Sequence, residues 1–127
     1  MNPKSLKYHR EHDWARIEGD TAVFGLTSYA QETLGDIVYI ELPEVGADVT
    51  AGTAYAEVES VKAVSDVYAP LSGSVVEVND EVVDAPELIN ESPFDEGWLI
   101  KVKLSDPSEA EDLMSAEEYE ELISEEE

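Results

Sequence analysis

Residues 56–67 read AEVESVKAVSDV, and the fold turns on how this stretch is read. On its N-terminal side, Ala54, Ala56 and Val58 alternate with Tyr55, Glu57 and Glu59. That period of two predicts a strand over 53–59 whose small inward residues pack closely. After Ser60-Val61-Lys62 the run AVSDVYAP reads as a returning strand stopped by Pro70. Lys62 therefore falls at a hairpin tip, where a side chain is exposed and free to move.

Working outward, WARIEGDTAVFGL at 14–26 sets two apolar runs around Gly19-Asp20 and predicts another hairpin. A short helix follows. Thr27 or Ser28 can cap it, Gln31 stands three residues after Ser28 as in a capping box, and Gly35 falls where a left-handed C-terminal cap belongs. From Asp36 the alternation puts Val38, Ile40 and Leu42 on one face against Ile37, Tyr39 and Glu41, until Pro43. Residues 43–52 read as a turn-rich connection and SVVEV at 74–78 as a strand. Residues 79–97 read as an irregular acidic segment broken by Pro86, Pro93 and Gly97. In WLIKVKL, Trp98, Ile100, Val102 and Leu104 oppose Leu99, Lys101 and Lys103, as in a half-buried strand. Ser115 and Glu118 form a capping box for a terminal helix, Met114 and Tyr119 a hydrophobic staple, and residues 124–127 a frayed acidic tail. VGADVTAG and YAPLSGSV echo each other weakly. Short strands, turn signals and a terminal helix predict a single mainly-β domain over 1–127, a sandwich or flattened barrel of antiparallel strands.

Composition narrows the function. The chain has 31 Asp and Glu against 7 Lys and Arg, a net charge of −24. Nucleic acid and anionic membrane surfaces are polyanions and would repel it. Because the acids are spread along the chain, they read as a solvated surface adapted to a high-salt, halophilic cytoplasm, where screening relieves self-repulsion. Cysteine is absent, so no disulfide, thiolate metal site or cysteine nucleophile exists, and any sulfur redox chemistry must arrive on a cofactor. The polar start, MNPKSLKYHREHDW, carries no secretory apolar run, which makes the cytoplasm the expected location. His9 and His12 sit three apart on an extended segment, a spacing that suits a metal pair only on a helix, so both read as surface or capping residues.

Against this background Lys62 stands out: residues 17–100 contain 18 acids and no other Lys or Arg. Three readings compete. A charged tip that blocks edge pairing would be served as well by Glu or Asp in so acidic a chain. A Schiff-base or general-base lysine needs a depressed pKa, and Glu57, Glu59 and Asp66 push the other way. Covalent attachment of a prosthetic group needs an exposed amine on a sharp turn in a frame that a ligase recognises, and Glu59, Ser60, Val61 and Ala63 around Lys62 supply that frame.

ESVKA resembles the lipoylation site of the glycine cleavage system H protein family. The resemblance extends over KYHREHDW at 7–14, GLTSYAQETLGDIVYIELPEVG at 25–46, AEVESVKAVSDVYAPLSGSVVEVN at 56–79, INESPFDEGWLIKVKLSDP at 89–107 and LMSAEEYEEL at 113–122. Biotin carriers and the lipoyl domains of 2-oxoacid dehydrogenases share the general architecture. Biotinyl lysines sit between methionines, whereas Lys62 has Val61 and Ala63 beside it; the dehydrogenase domains place an acid before the lysine and lack the HDW block and the terminal helix.

The resemblance implies a lipoyl-carrier-like fold and a protein that is a shuttle and not an enzyme, with lipoic acid joined to Lys62 as an amide. It implies four partners: a lipoate ligase or lipoyl transferase, a pyridoxal-phosphate glycine decarboxylase, a tetrahydrofolate-dependent aminomethyltransferase and a dihydrolipoamide dehydrogenase. In the family the loaded arm folds into a cleft where acids meet its cationic amine. By motif these are Asp13, where the family usually has Glu, and Asp66, with Glu11 placed to compensate for the shorter Asp13. A lipoyl relay or storage protein of the same fold, serving lipoate transfer to other complexes, is the alternative.

Overall fold

The chain begins with strands β1 (Lys7–His9), β2 (Asp13–Glu18) and β3 (Thr21–Leu26), the last two joined at Gly19, whose φ of +65° suits the tight turn. Helix α1 (Ser28–Leu34) follows, then β4 (Ile37–Glu41), the two-residue β5 (Asp48–Val49), β6 (Ala54–Ser60), β7 (Val64–Tyr68) and β8 (Gly73–Val78). Two five-residue helices, α2 (Asp80–Asp84) and α3 (Glu87–Glu91), precede β9 (Ile100–Leu104), a 3-10 turn over Pro107–Asp112 and helix α4 (Ala116–Glu126). This computed structural model describes residues 6–126; of the segment 124–127 read as a frayed tail, residues 124–126 continue α4, and Glu127 lies outside the described residues.

The strands form two open antiparallel sheets, one of six strands in the order β1-β2-β3-β9-β8-β5 and one of three in the order β4-β6-β7. The sandwich alternative holds and the barrel does not close. One core joins the inner faces: Ala15, Ala22, Phe24, Val75 and Val102 from the larger sheet meet Ile37, Ile40, Ala56, Val58 and Val67 from the smaller. The two echoing segments lie together, with the Gly46 amide donating to Val75 and the Val75 amide to Ala47, both at 2.8 Å.

A second core covers the outer face of the larger sheet. Trp14 and Val23, opposite in direction to Ala15 and Ala22, pack with Tyr8 and Tyr119 and, at their margin, Phe94 and Trp98. Trp14 is fully buried and its indole N–H donates to the carbonyls of Leu26 and Pro93, both at 3.0 Å. Removing an aromatic of that size from water contributes about 4–6 kcal/mol before ordering costs. Tyr8 stacks on Tyr119 with ring centroids 4.7 Å apart, which fixes α4 against β1. The α4 capping box forms as read: the Glu118 carboxylate accepts from the Ser115 amide, and the Ser115 hydroxyl from the Glu118 amide.

Several local expectations change. Of the two caps read for α1, Thr27 is the one that forms, accepting from the Ala30 amide at 3.1 Å, while Gln31 pairs with Asn90 instead of closing a box on Ser28. In β4, Ile37 and Ile40 are buried while Val38 and Tyr39 are exposed, because a register shift between Ile37 and Tyr39 breaks the alternation. Residues read as irregular contain α2, capped by Asn79, and α3; Val82 and Ile89 bury one face of each. Leu99 is buried outside the β9 alternation, its amide donating to Phe24 at 2.8 Å, and Trp98 is only half-buried.

The close seat of Trp14 on β3 makes a prediction. A Cβ on Gly25 would lie 2.5 Å from Cζ2 of Trp14. Gly25→Ala is expected to lower the unfolding free energy by about 1–3 kcal/mol, the usual cost of overpacking, read from urea denaturation followed by tryptophan fluorescence.

Candidate functional site

The tip of the β6–β7 hairpin is built by one buried hydroxyl. Strand β6 turns Ala56, Val58 and Ser60 inward, which leaves the Ser60 side chain only 6% exposed at the strand's end. Its oxygen accepts from the amides of Lys62 and Ala63, at 3.2 and 3.1 Å, and the Ser60 amide donates to the Ala63 carbonyl at 2.8 Å. The Val61 amide donates across to the Asp36 carbonyl at 3.1 Å. The amides of Val61, Lys62 and Ala63 thus all have partners, and the three residues face solvent. Among the described residues, Lys62 takes part in no ion pair with a carboxylate.

Strand register sets the charges around it. Tyr39, Glu59 and Val64 lie abreast across the smaller sheet, and Glu41, Glu57 and Asp66 form the next row. All six are exposed. Three acids side by side on neighbouring strands repel one another, a cost that salt reduces.

A groove of about 420 Å³ runs between α1, the segment before β2 and strand β7. Ala30, Leu34 and Val67 give it apolar surface, while Glu11, His12 and Asp66 supply polar edges. His12 adopts φ +71°, uncommon for a residue with a Cβ. Two tyrosines surround its ring: Tyr29 lies 4.8 Å away between centroids, and the Tyr119 hydroxyl is 2.8 Å from Nδ1. That same hydroxyl is 2.7 Å from Oγ1 of Thr27, the cap of α1. One phenol on α4 therefore braces both walls of the groove. No group of three or more potential metal ligands occurs among the described residues.

The structure brings Glu11 and Asp66 together on the groove and leaves Asp13 off its lining. Asp13 is fully buried, neither carboxylate oxygen has a hydrogen-bond partner, and His9 Nδ1 is 3.6 Å away. Burial raises the Asp13 pKa well above the ordinary carboxylate value, and burial also lowers that of His9. Both shifts favour neutral forms, so this contact is a poor ion pair. Tyr55, whose hydroxyl is likewise buried without a partner, has its pKa raised by burial and then by Asp13. Sequence reasoning read Tyr119 as a helix staple and missed it as a residue of this site; the capping position of Thr27 was the other local signal of the network. A larger recess of about 830 Å³, between Arg16, Lys101 and the acids of α2, contains none of the tip or groove residues.

Asp13 sets a pH dependence. Its folded-state pKa lies above the unfolded one, so the native state binds the proton more tightly, and stability is lost as pH rises from the unfolded value through the folded one. Asp13→Asn removes that penalty. Its melting temperature is expected to exceed that of the parent by several degrees at neutral pH, and the gain to shrink towards zero near pH 4, measured by calorimetry across the range.

A glycine cleavage H-protein family model matches residues 6–126. The glycine cleavage system H protein of Carboxydothermus hydrogenoformans is 54% identical over 124 residues, covering 98% of this chain and 95% of that one. That of Geobacillus kaustophilus is 56% identical over 123 residues, covering 97% of each. The crystal structure of a glycine cleavage system H protein from Mycobacterium marinum superposes with a TM-score of 0.89 at 41% identity, over 97% of this chain and 99% of that one. End-to-end likeness in both sequence and fold leads to one conclusion: the chain belongs to the glycine cleavage H-protein family, whose members are lipoyl carriers of the glycine cleavage system and not catalysts.

Proposed function

We propose that Lys62 carries lipoic acid as an amide and that the chain shuttles a one-carbon, amine-bearing cargo among the enzymes of the glycine cleavage system. The observation that carries this reading is the lone lysine standing clear of both strands on a turn locked by Ser60. The residues fit the group: an exposed amine can be acylated, and the groove offers apolar lining for an aliphatic arm with carboxylates at its edge. When attached, the lipoyl group supplies a disulfide that accepts the cargo and returns as a dithiol, chemistry that this cysteine-free chain lacks.

The protein's own part is presentation and shelter. Glu59, Ser60, Val61 and Ala63 hold Lys62 in a fixed frame for a lipoate ligase or lipoyl transferase. The apolar wall excludes water from a labile cargo. Glu11 and Asp66 attract its cationic amine, each contributing about 0.2–1 kcal/mol at an exposed site. Asp13, buried and off the groove's lining, takes no part in amine binding. The partners follow: a pyridoxal-phosphate glycine decarboxylase loads the carrier, a tetrahydrofolate-dependent aminomethyltransferase unloads it, and dihydrolipoamide dehydrogenase reoxidises it. Two carboxylates facing the groove favour this shuttle over a lipoyl relay or storage role, which needs no site for a cation.

Lipoylation is tested by peptide mass mapping of material from its own cells, with the modification expected at Lys62 and nowhere else. Asp66→Asn is expected to leave lipoylation intact and shorten the lifetime of the bound cargo by about two- to fivefold, measured as ammonia release from the loaded carrier. We also propose that the acidic surface suits a high-salt cytoplasm. The row Glu41, Glu57, Asp66 then predicts that the melting temperature rises between dilute buffer and molar KCl.

A further inference from the structure

We propose that Asn90, acting through Gly35, is a positioning residue that aims the Lys62 side chain along α1 towards the groove. This rests on the reading of Lys62 as the acylated residue and adds how its arm is directed.

Asn90 sits on α3 and reaches the junction between α1 and β4. Its Oδ1 accepts from the Ile37 amide at 2.8 Å, and its Nδ2 donates to the Gly35 carbonyl and to Gln31 Oε1, both at 2.9 Å. Only a side-chain amide offers both the acceptor and the two donors this junction uses. The segment so clamped touches the tip twice. Asp36 accepts the Val61 amide at 3.1 Å, which joins the junction to the hairpin's turn. Gly35 presents its bare Cα to the lysine stem, since a Cβ there would stand 3.1 Å from Cε and 3.8 Å from Nζ of Lys62.

Gly35 is thus required for two reasons. Its φ of +84° with ψ of −154° is open to glycine alone, and its missing side chain leaves a shelf on which the Lys62 stem lies. The shelf is the end of the helix whose residues Ala30, Thr33 and Leu34 line the groove. A stem resting there starts its tether at the groove's wall. The Ser60 turn makes Lys62 available; the Asn90 clamp gives it direction. The two devices meet only in the Val61–Asp36 backbone bond and otherwise use separate donors and acceptors, so a substitution at Asn90 leaves the Ser60 bonds in place.

The test uses the full chain, unmodified and lipoylated in vitro by a lipoate ligase. In the unmodified parent, NMR is expected to show a nuclear Overhauser contact between the Lys62 ε-protons and the Gly35 α-protons; its absence overturns the inference without any variant. Lipoylation of the parent is expected to shift the amides of Thr33, Leu34 and Asp66. In Asn90→Ala, the modification rate is expected to stay within about twofold of the parent, since the Ser60 turn is untouched, while the groove shifts fall by half or more. Asn90→Asp, which keeps the size and one acceptor but loses both donors, is expected to do the same and serves if the alanine variant does not fold. Full groove shifts in a folded variant overturn the inference. A parent that takes no lipoyl group at Lys62 overturns the underlying reading instead, so the two failures are distinct.

Discussion

The Ser60 hydroxyl, buried at the end of β6 and accepting two amides of its own turn, is the constraint on which the site depends. A buried oxygen without partners costs about 1–3 kcal/mol, and a turn with open amides would be mobile. Joining the two deficits satisfies both and reverses the chain within three residues. Lys62 consequently sits off the end of the sheet with no neighbouring strand to hide it. The exposed amine follows from the packing of the strand that precedes it.

That arrangement needs a rigid base, and two cores supply one. The inter-sheet core fixes β6 and β7 at its centre through Ala56, Val58 and Val67. The outer core, anchored by Trp14 over Gly25, holds α4 on β1 and so places the Tyr119 hydroxyl between His12 and Thr27. The terminal helix is distant in sequence from the groove and yet braces its walls. Charge acts in the opposite sense: three acids abreast on the smaller sheet store repulsion, and the carboxylates facing the groove belong to the same surplus. The same surplus of acid therefore sets both the repulsion on the sheet and the negative edge of the groove.

Much of this was legible in the chain because the signals are local. Gly19-Asp20 announced a hairpin, Ser115 with Glu118 a cap, and a solitary lysine between two alternating runs a presented tip. Where the reading departed from the structure, non-local packing had decided. The β4 alternation failed at a register shift fixed by its partner strand β6. The acidic stretch 79–97 hid α2 and α3 because each is little more than one turn, too short to show periodicity, and each is held by one buried side chain. Asp13 was read by resemblance as a cleft acid; only the fold shows it fully buried and off the groove, with a raised pKa. The clamp at Asn90 and the bracing role of Tyr119, read only as a helix staple, are hidden for the same reason, since their partners lie 53 to 107 residues away.

The central claim is that Lys62 is the one residue through which the chain carries its cargo. The most direct measurement is the exchange of labelled carbon dioxide into glycine by purified glycine decarboxylase, with the ligase-treated chain as the only carrier. The account predicts robust exchange with the parent and none above background with Lys62→Ala treated in the same way. Exchange sustained by the alanine variant would contradict it.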